Sequence, residues 1–467
     1  MSLRTSPAWP APPPALRWDK LEQGGVVVLR LQVIVGLLVG LVYLAGVGLE
    51  IGPLRTAMVG VAVAIAVMWP IACLTTLVLI MTSREPAILI PLYVHATLLL
   101  AVGVGCMFRL ASDRRAVHIH PAVALFIGYA AYTALSIPPL VNGHPDAWVP
   151  TAILRFIKMM SSPVLFLMAL YIFRRVPAGP FVAVATFGAA LMTLLGVAVA
   201  LDLPASLTFE GLLNPQRGSR AIGGFGSANY FGFFTAQAFL LAAGLWVAFP
   251  RHRLVLAVAI AVFAAGLVLS FSRSSYIASM VGLMVVVALR DRRAAIMLAI
   301  VAVASAAIIY PAFLEARVGS DVLDPDVIAE RALSDSWRAR AGVAGLQMWS
   351  GEPWFGVGFG VHQNISPAFI GASPATYTHN QFIAFLAEQG IVGVAMVAGM
   401  VAALGVALWR STSPYRGAAL AMGVAYLIQS NFINSATSFD ISGLSWLIMA
   451  AALSAVPATT SDHTSEV

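Results

Sequence analysis

Four side chains stand out in this sequence for the chemistry they can do: Arg220, Arg273, Arg338 and His379. A guanidinium holds phosphate oxygens through paired hydrogen bonds and stabilises negative charge building on a leaving group. A neutral imidazole can take a hydroxyl proton near neutral pH. Together these groups suit transfer from a lipid-linked pyrophosphate. Neither paired acidic residues nor metal-ligand spacings accompany them, so the expected chemistry needs no metal and no cofactor.

Each residue also has a plainer reading. Arg220 opens the stretch Arg220-Ala-Ile-Gly-Gly-Phe-Gly-Ser-Ala-Asn229, a glycine-rich loop able to offer backbone amides to an anion, or simply a loop ending in an Asn cap. Arg273 lies in Ser270-Phe-Ser-Arg-Ser-Ser-Tyr276, between two apolar runs with almost no loop. An arginine at that depth is costly without a partner and reads as functional; a snorkelling anchor is the alternative. Arg338 falls in a helical stretch where Arg331 and Asp335 share its face, which also fits a salt-bridged surface helix. His379 opens an apolar run at the outer water–membrane boundary, where it can equally cap the helix.

Other residues are secondary. Arg155 and Lys158, one turn apart, add positive potential to the same cavity or snorkel. Asn229 and Asn380 are supporting positions. Glu388 lies nine residues after His379, about 180° around an ideal helix, so it supports the site without pairing with His379. Pro353-Trp-Phe-Gly-Val-Gly-Phe-Gly360 has the glycine spacing of a phosphate loop, but no strand precedes it, so a nucleotide loop is weakly indicated.

The elements that must position these groups are transmembrane helices. Of 467 residues, 60% are hydrophobic and only 10% charged. The apolar residues come in runs of roughly 20, the length that crosses a bilayer as a helix. Backbone groups inside lipid must be satisfied within the segment, which selects helices, and the alternating strands of a barrel do not appear. The net charge of +7 is spread through the turns between runs, a pattern of membrane orientation and not of nucleic-acid binding. Cys73 and Cys106 both sit in apolar runs and read as small buried hydrophobes.

The order is a disordered cytoplasmic tail (1–25), a first membrane bundle (26–310), one large polar loop (311–378), further membrane helices (379–456) and a short tail (457–467). A break near Trp69-Pro70, with the N-terminus inside, puts every basic cluster in the cytoplasm, from Arg109/Arg114/Arg115 to Arg410/Arg416. We therefore expect an all-α integral membrane protein of 12 to 14 helices, with both termini cytoplasmic and the polar loop outside.

The motifs Arg220…Gly224-Phe…Asn229, Ser272-Arg-Ser274, Arg338…Trp349…Pro353 to Gly360 and His379-Asn-Gln-Phe…Glu388-Gln-Gly-Ile391…Gly393 resemble the O-antigen ligase and Wzy-type polymerase superfamily. The resemblance spans about residues 26–456 and is most specific over 220–393. It implies a GT-C-like bacterial inner-membrane glycosyltransferase with its site facing the periplasm. The implied donor is a glycan on undecaprenyl diphosphate; the acceptor is a second glycan or lipid A–core. A chain-length regulator and a flippase are the implied protein partners. It further implies that the arginines hold the diphosphate, that His379 activates or orients the acceptor hydroxyl, and that the anomeric configuration inverts. Polymerisation of repeat units is preferred over ligation. A transporter or flippase is the reading from another class, disfavoured because no internal repeat is visible and the polar residues gather at one face.

Overall fold

The computed structural model describes residues 22–48, 51–66, 69–81, 94–112, 121–137, 148–201, 221, 225, 227–301, 304, 325–370, 378–433 and 435–454. Among these there is no strand, and the protein is an all-α integral membrane protein. The helices are α1 (Glu22–Gly48), α2 (Gly52–Ala66), α3 (Pro70–Ile80), α4 (Val94–Ser112), α5 (Pro121–Leu135), α6 (Val149–Phe173), α7 (Gly179–Ala200) and α8 (Ala228–Ala248). They continue with α9 (Arg253–Ser270), α10 (Arg273–Ala288), α11 (Pro325–Gly351), α12 (His362–Ile370), α13 (Gln381–Arg410), α14 (Arg416–Gln429) and α15 (Phe439–Leu453). Six described helices are long and apolar enough to cross a membrane, and six more are apolar but shorter. The tails at 1–21 and 455–467 lie outside the described residues, and α1 starts at Glu22, inside the stretch expected to be tail.

The run from 53 to 82 is two helices, with Pro70 opening the second at a position where its missing N–H costs nothing. Cys73 and Cys106 are free and buried. Helices α8, α10 and α14 form the centre of the bundle, flanked by α9 and α15.

The bundle has two chemically distinct ends. At one, the ring of Phe249 stands 5.7 Å from that of Tyr415, and Ser411 donates to the Ala452 carbonyl at 2.6 Å. Arg175, Arg253 and Arg416 lie over Tyr171, Trp246 and Trp409 at this end. Such basic–aromatic pairs suit a membrane–water interface. The opposite end carries Arg273 and His379.

A buried polar chain joins four helices between these ends. Ser445 donates to the Gln237 side chain at 3.0 Å, Gln237 donates to Gln429 at 3.2 Å, and Gln429 donates to Ser275 at 3.2 Å. Ser275 in turn donates to Ser272, in the turn beside Arg273, at 2.9 Å. Gln237→Leu should therefore leave two partners short and lower stability by about 1 kcal/mol, the scale of interhelical hydrogen bonds in membranes. Thermal unfolding in detergent would read this as a lower midpoint, with Gln237→Glu retaining more of the wild-type value.

Candidate active site

The site end is organised by a break in α13. At Gly390 the backbone leaves the helical region (φ 62°, ψ −165°), which frees carbonyls before it and N–H groups after it. The turn after α11 satisfies them. Val357 and Gly358 donate their N–H groups to the carbonyls of Ala387 (2.9 Å) and Glu388 (3.1 Å). Ile391 and Val392 donate to the carbonyls of Pro353 (3.0 Å) and Trp354 (3.2 Å). The Gln389 carbonyl accepts from the Tyr132 hydroxyl at 2.6 Å.

The glycines of this turn are explained by that fit. Gly356, Gly358, Gly360 and Gly390 all have positive φ. A Cβ on Gly356 would lie 2.5 Å from the Gln389 nitrogen, and one on Gly390 would collide with the Trp354 carbonyl. The stretch from Pro353 to Gly360 is thus a clamp on a broken helix, and its likeness to a phosphate loop is one of spacing only.

Charge is buried beside the clamp. Arg155 lies 3.6 Å from the Glu388 carboxylate, with the two side chains 15% and 1% exposed. Arg155 also donates to the Gly360 carbonyl at 2.9 Å and the Gln363 side chain at 2.7 Å. The same Glu388 oxygen accepts the His362 backbone N–H at 3.1 Å. One ion pair therefore joins α6, the clamp, α12 and α13. The His362 ring is buried, and burial together with the Arg155 charge pushes its pKa down to about 4, so it is neutral near pH 7. Sequence reasoning did not single out His362, nor Tyr129 and Thr133, whose hydroxyls bond the Gln389 side chain.

The expected site residues fall as follows. Asn380 caps α13, its side chain accepting from Phe382 and Ile383 at 2.9 and 3.1 Å. His379, just before it, remains accessible. Partial withdrawal of its ring from water and, second, the positive charge of Arg338 hold its pKa below the ordinary imidazole value. Arg338 lies exposed on α11, next to α13, where Gly345 leaves room for Ile383. Arg273 is exposed at the first turn of α10.

Hydrogen bonds connect these two places. The Gln381 N–H donates to the Ser430 carbonyl at 2.8 Å, and the neighbouring Gln429 side chain reaches Ser275, half a turn from Arg273. Arg220 lies outside the described residues, as do Gly223, Gly224 and Gly226. Ala221 donates to the Leu269 carbonyl at 2.8 Å, close to the Arg273 turn. Asn229 is half-buried in the first turn of α8, whose cap is Ser227. Lys158 is half-buried on α6, one turn from Arg155.

A groove of ≈ 180 Å³ runs from this end towards the basic end, from Gln381 and Phe385 past Met159 and Met400 to Leu408. Its lining is almost wholly apolar.

Residues 256–398 match the family described as O-antigen ligase. Over this segment the chain is similar to that family. The segment runs from α9 through the first half of α13, and so contains Arg273, Arg338, the clamp, Glu388 and His379. The family supports a glycan-transferring membrane enzyme of O-antigen synthesis. No curated protein matches the chain.

Two outcomes follow from this geometry. Glu388→Ala should leave the half-buried Arg155 charge without its carboxylate and cost about 1–3 kcal/mol, while Arg155→Met combined with Glu388→Leu should cost less than the sum of the two single changes. Unfolding midpoints of the four proteins check this. Removing the positive charge in Arg338→Ala should raise the His379 pKa. Where neutral His379 is needed, the acid limb of the pH–activity profile then moves to higher pH, and Arg338→Lys keeps it nearer its wild-type position.

Proposed function

We propose that this protein transfers a glycan from undecaprenyl diphosphate to an acceptor sugar hydroxyl at the periplasmic face of the bacterial inner membrane, polymerising O-antigen or exopolysaccharide repeat units. The observation that carries the reading is the family match over residues 256–398, which holds the exposed Arg273 and Arg338 and an accessible histidine of lowered pKa.

In the proposed step, His379 accepts the proton of the acceptor hydroxyl while its oxygen attacks the anomeric carbon. The bond from that carbon to the diphosphate oxygen breaks, the electron pair leaves with undecaprenyl diphosphate, and the configuration inverts. Arg273 and Arg338, with Arg220, stabilise the charge on the departing diphosphate. Arg155 holds the clamp and Glu388 in place, and Lys158 adds positive potential from the same helix. The apolar groove leading from Gln381 suits the lipid chain of the carrier. Asn380 and Asn229 support the site through the first turns of α13 and α8. The step as written uses no metal.

A second reading, ligation of finished glycan to lipid A–core, is favoured by the description of the family itself. The two differ only in acceptor.

Purified protein in lipid vesicles, given an undecaprenyl diphosphate-linked repeat unit, should form longer lipid-linked glycans if it is a polymerase, and transfer glycan to added lipid A–core if it is a ligase. Arg273→Ala and His379→Ala should each slow product formation by about 10²–10³-fold. Full activity in both variants would refute the assigned site, and loss of activity on chelating divalent metals would refute the metal-free step.

A further inference from the structure

The turn that clamps α13 also carries a pair of side chains that neither the clamp nor the proposed transfer uses. Trp354 and Phe355 are 63% and 61% exposed, on a turn whose backbone is held to α13 by the four hydrogen bonds across the break. Ile391, the first residue past the break, is 41% exposed beside them.

The character of α13 changes at the same place. Seven of the ten residues from Gln381 to Gly390 are buried in protein, whereas beyond Gly390 only Gly393, Met400, Leu404 and Leu408 are. The segment from Ile391 to Trp409 rises about 28 Å at 1.5 Å per residue, close to the ~30 Å thickness of a hydrocarbon core. It contains no charged residue. The segment before the break instead contains Gln381, Glu388 and Gln389, all buried and hydrogen-bonded within the protein.

We propose that Trp354 and Phe355 are seated in the lipid at the membrane–water interface on the site's side, and that Gly390 marks this boundary. Tryptophan and phenylalanine on a rigid turn, level with the first lipid-facing residues of a spanning helix, match an interfacial aromatic belt. Glu352, exposed two residues before Trp354, marks the water side. A helix can break at this depth because the carbonyls of Ala387, Glu388 and Gln389 and the N–H groups of Ile391 and Val392 have protein partners. This inference is independent of the chemistry proposed for His379 and Arg338.

The test uses the full-length protein with Cys73→Ala and Cys106→Ala, reconstituted in phosphatidylcholine–phosphatidylglycerol vesicles. Single cysteines at Trp354→Cys or Phe355→Cys carry an environment-sensitive fluorophore. Probes at 354 and 355 should lose emission to lipids bearing a nitroxide high on the acyl chain and keep it in aqueous iodide. Iodide quenching without lipid quenching at both 354 and 355 overturns the proposal. The two aromatic positions serve as independent checks, should one variant fail to fold.

Discussion

The site end depends on one constraint: a helix that breaks beside a membrane cannot leave its amides and carbonyls bare. In α13 the break at Gly390 frees groups on both sides, and the turn from Pro353 to Gly358 takes up four of them. That exchange makes a loop and a helix into one unit. Because α11 ends at Gly351, immediately before the turn, the clamp also fixes α11 against the outer part of α13. The two helices then run side by side in the same direction, with Gly345 packed on Ile383. This brings Arg338 to the level of His379, which is why the arginine's charge is felt in the imidazole's pKa.

The buried ion pair completes the same unit from the other side. A carboxylate only 1% exposed is tolerable because Arg155 stands 3.6 Å away and a backbone N–H bonds it as well. Its position excludes Glu388 from the exposed surface around His379. The charges of this end are thus divided between two surroundings. Glu388 is buried and Arg155 half-buried, engaged with each other, while Arg273 and Arg338 remain exposed where an anionic ligand can reach them.

Much of this was legible in the sequence, for reasons that mark the limits of such reading. Long apolar runs announce membrane helices because the solvent leaves little choice of structure. Arg273 stood out because arginine between two apolar runs conflicts with its surroundings. The 180° separation expected of His379 and Glu388 rested on ideal helix geometry, whereas His379 precedes the Asn380 cap and so lies outside α13, and the break at Gly390 carried no such signal. What escaped were partners distant in the chain. Glu388 meets Arg155 from α6, and Gly390 needs a turn more than 30 residues before it. The glycine spacing of that turn was visible, but a phosphate loop and a helix clamp ask for the same backbone freedom. Gln237 and Gln429 carried a usable signal, as amides inside apolar helices, and their chain to Ser275 is the kind of contact such residues seek.

The break also bears on how a lipid-borne substrate and a water-borne acceptor can meet. A continuous helix from Gln381 to Arg410 would be about 45 Å long, well beyond the hydrocarbon thickness. Dividing it at Gly390 gives a spanning part that faces lipid and a first part that packs against α11, the clamp and the bundle. The apolar groove is lined by both parts, by Gln381 and Phe385 from the first and by Met400, Leu404 and Leu408 from the second. On the proposed reading, the diphosphate then emerges where Arg273 and Arg338 are exposed, and the acceptor hydroxyl approaches His379 from water. The clamp fixes the packing around that meeting point, which ties Gly390 to the proposed chemistry although it touches none of the reacting atoms.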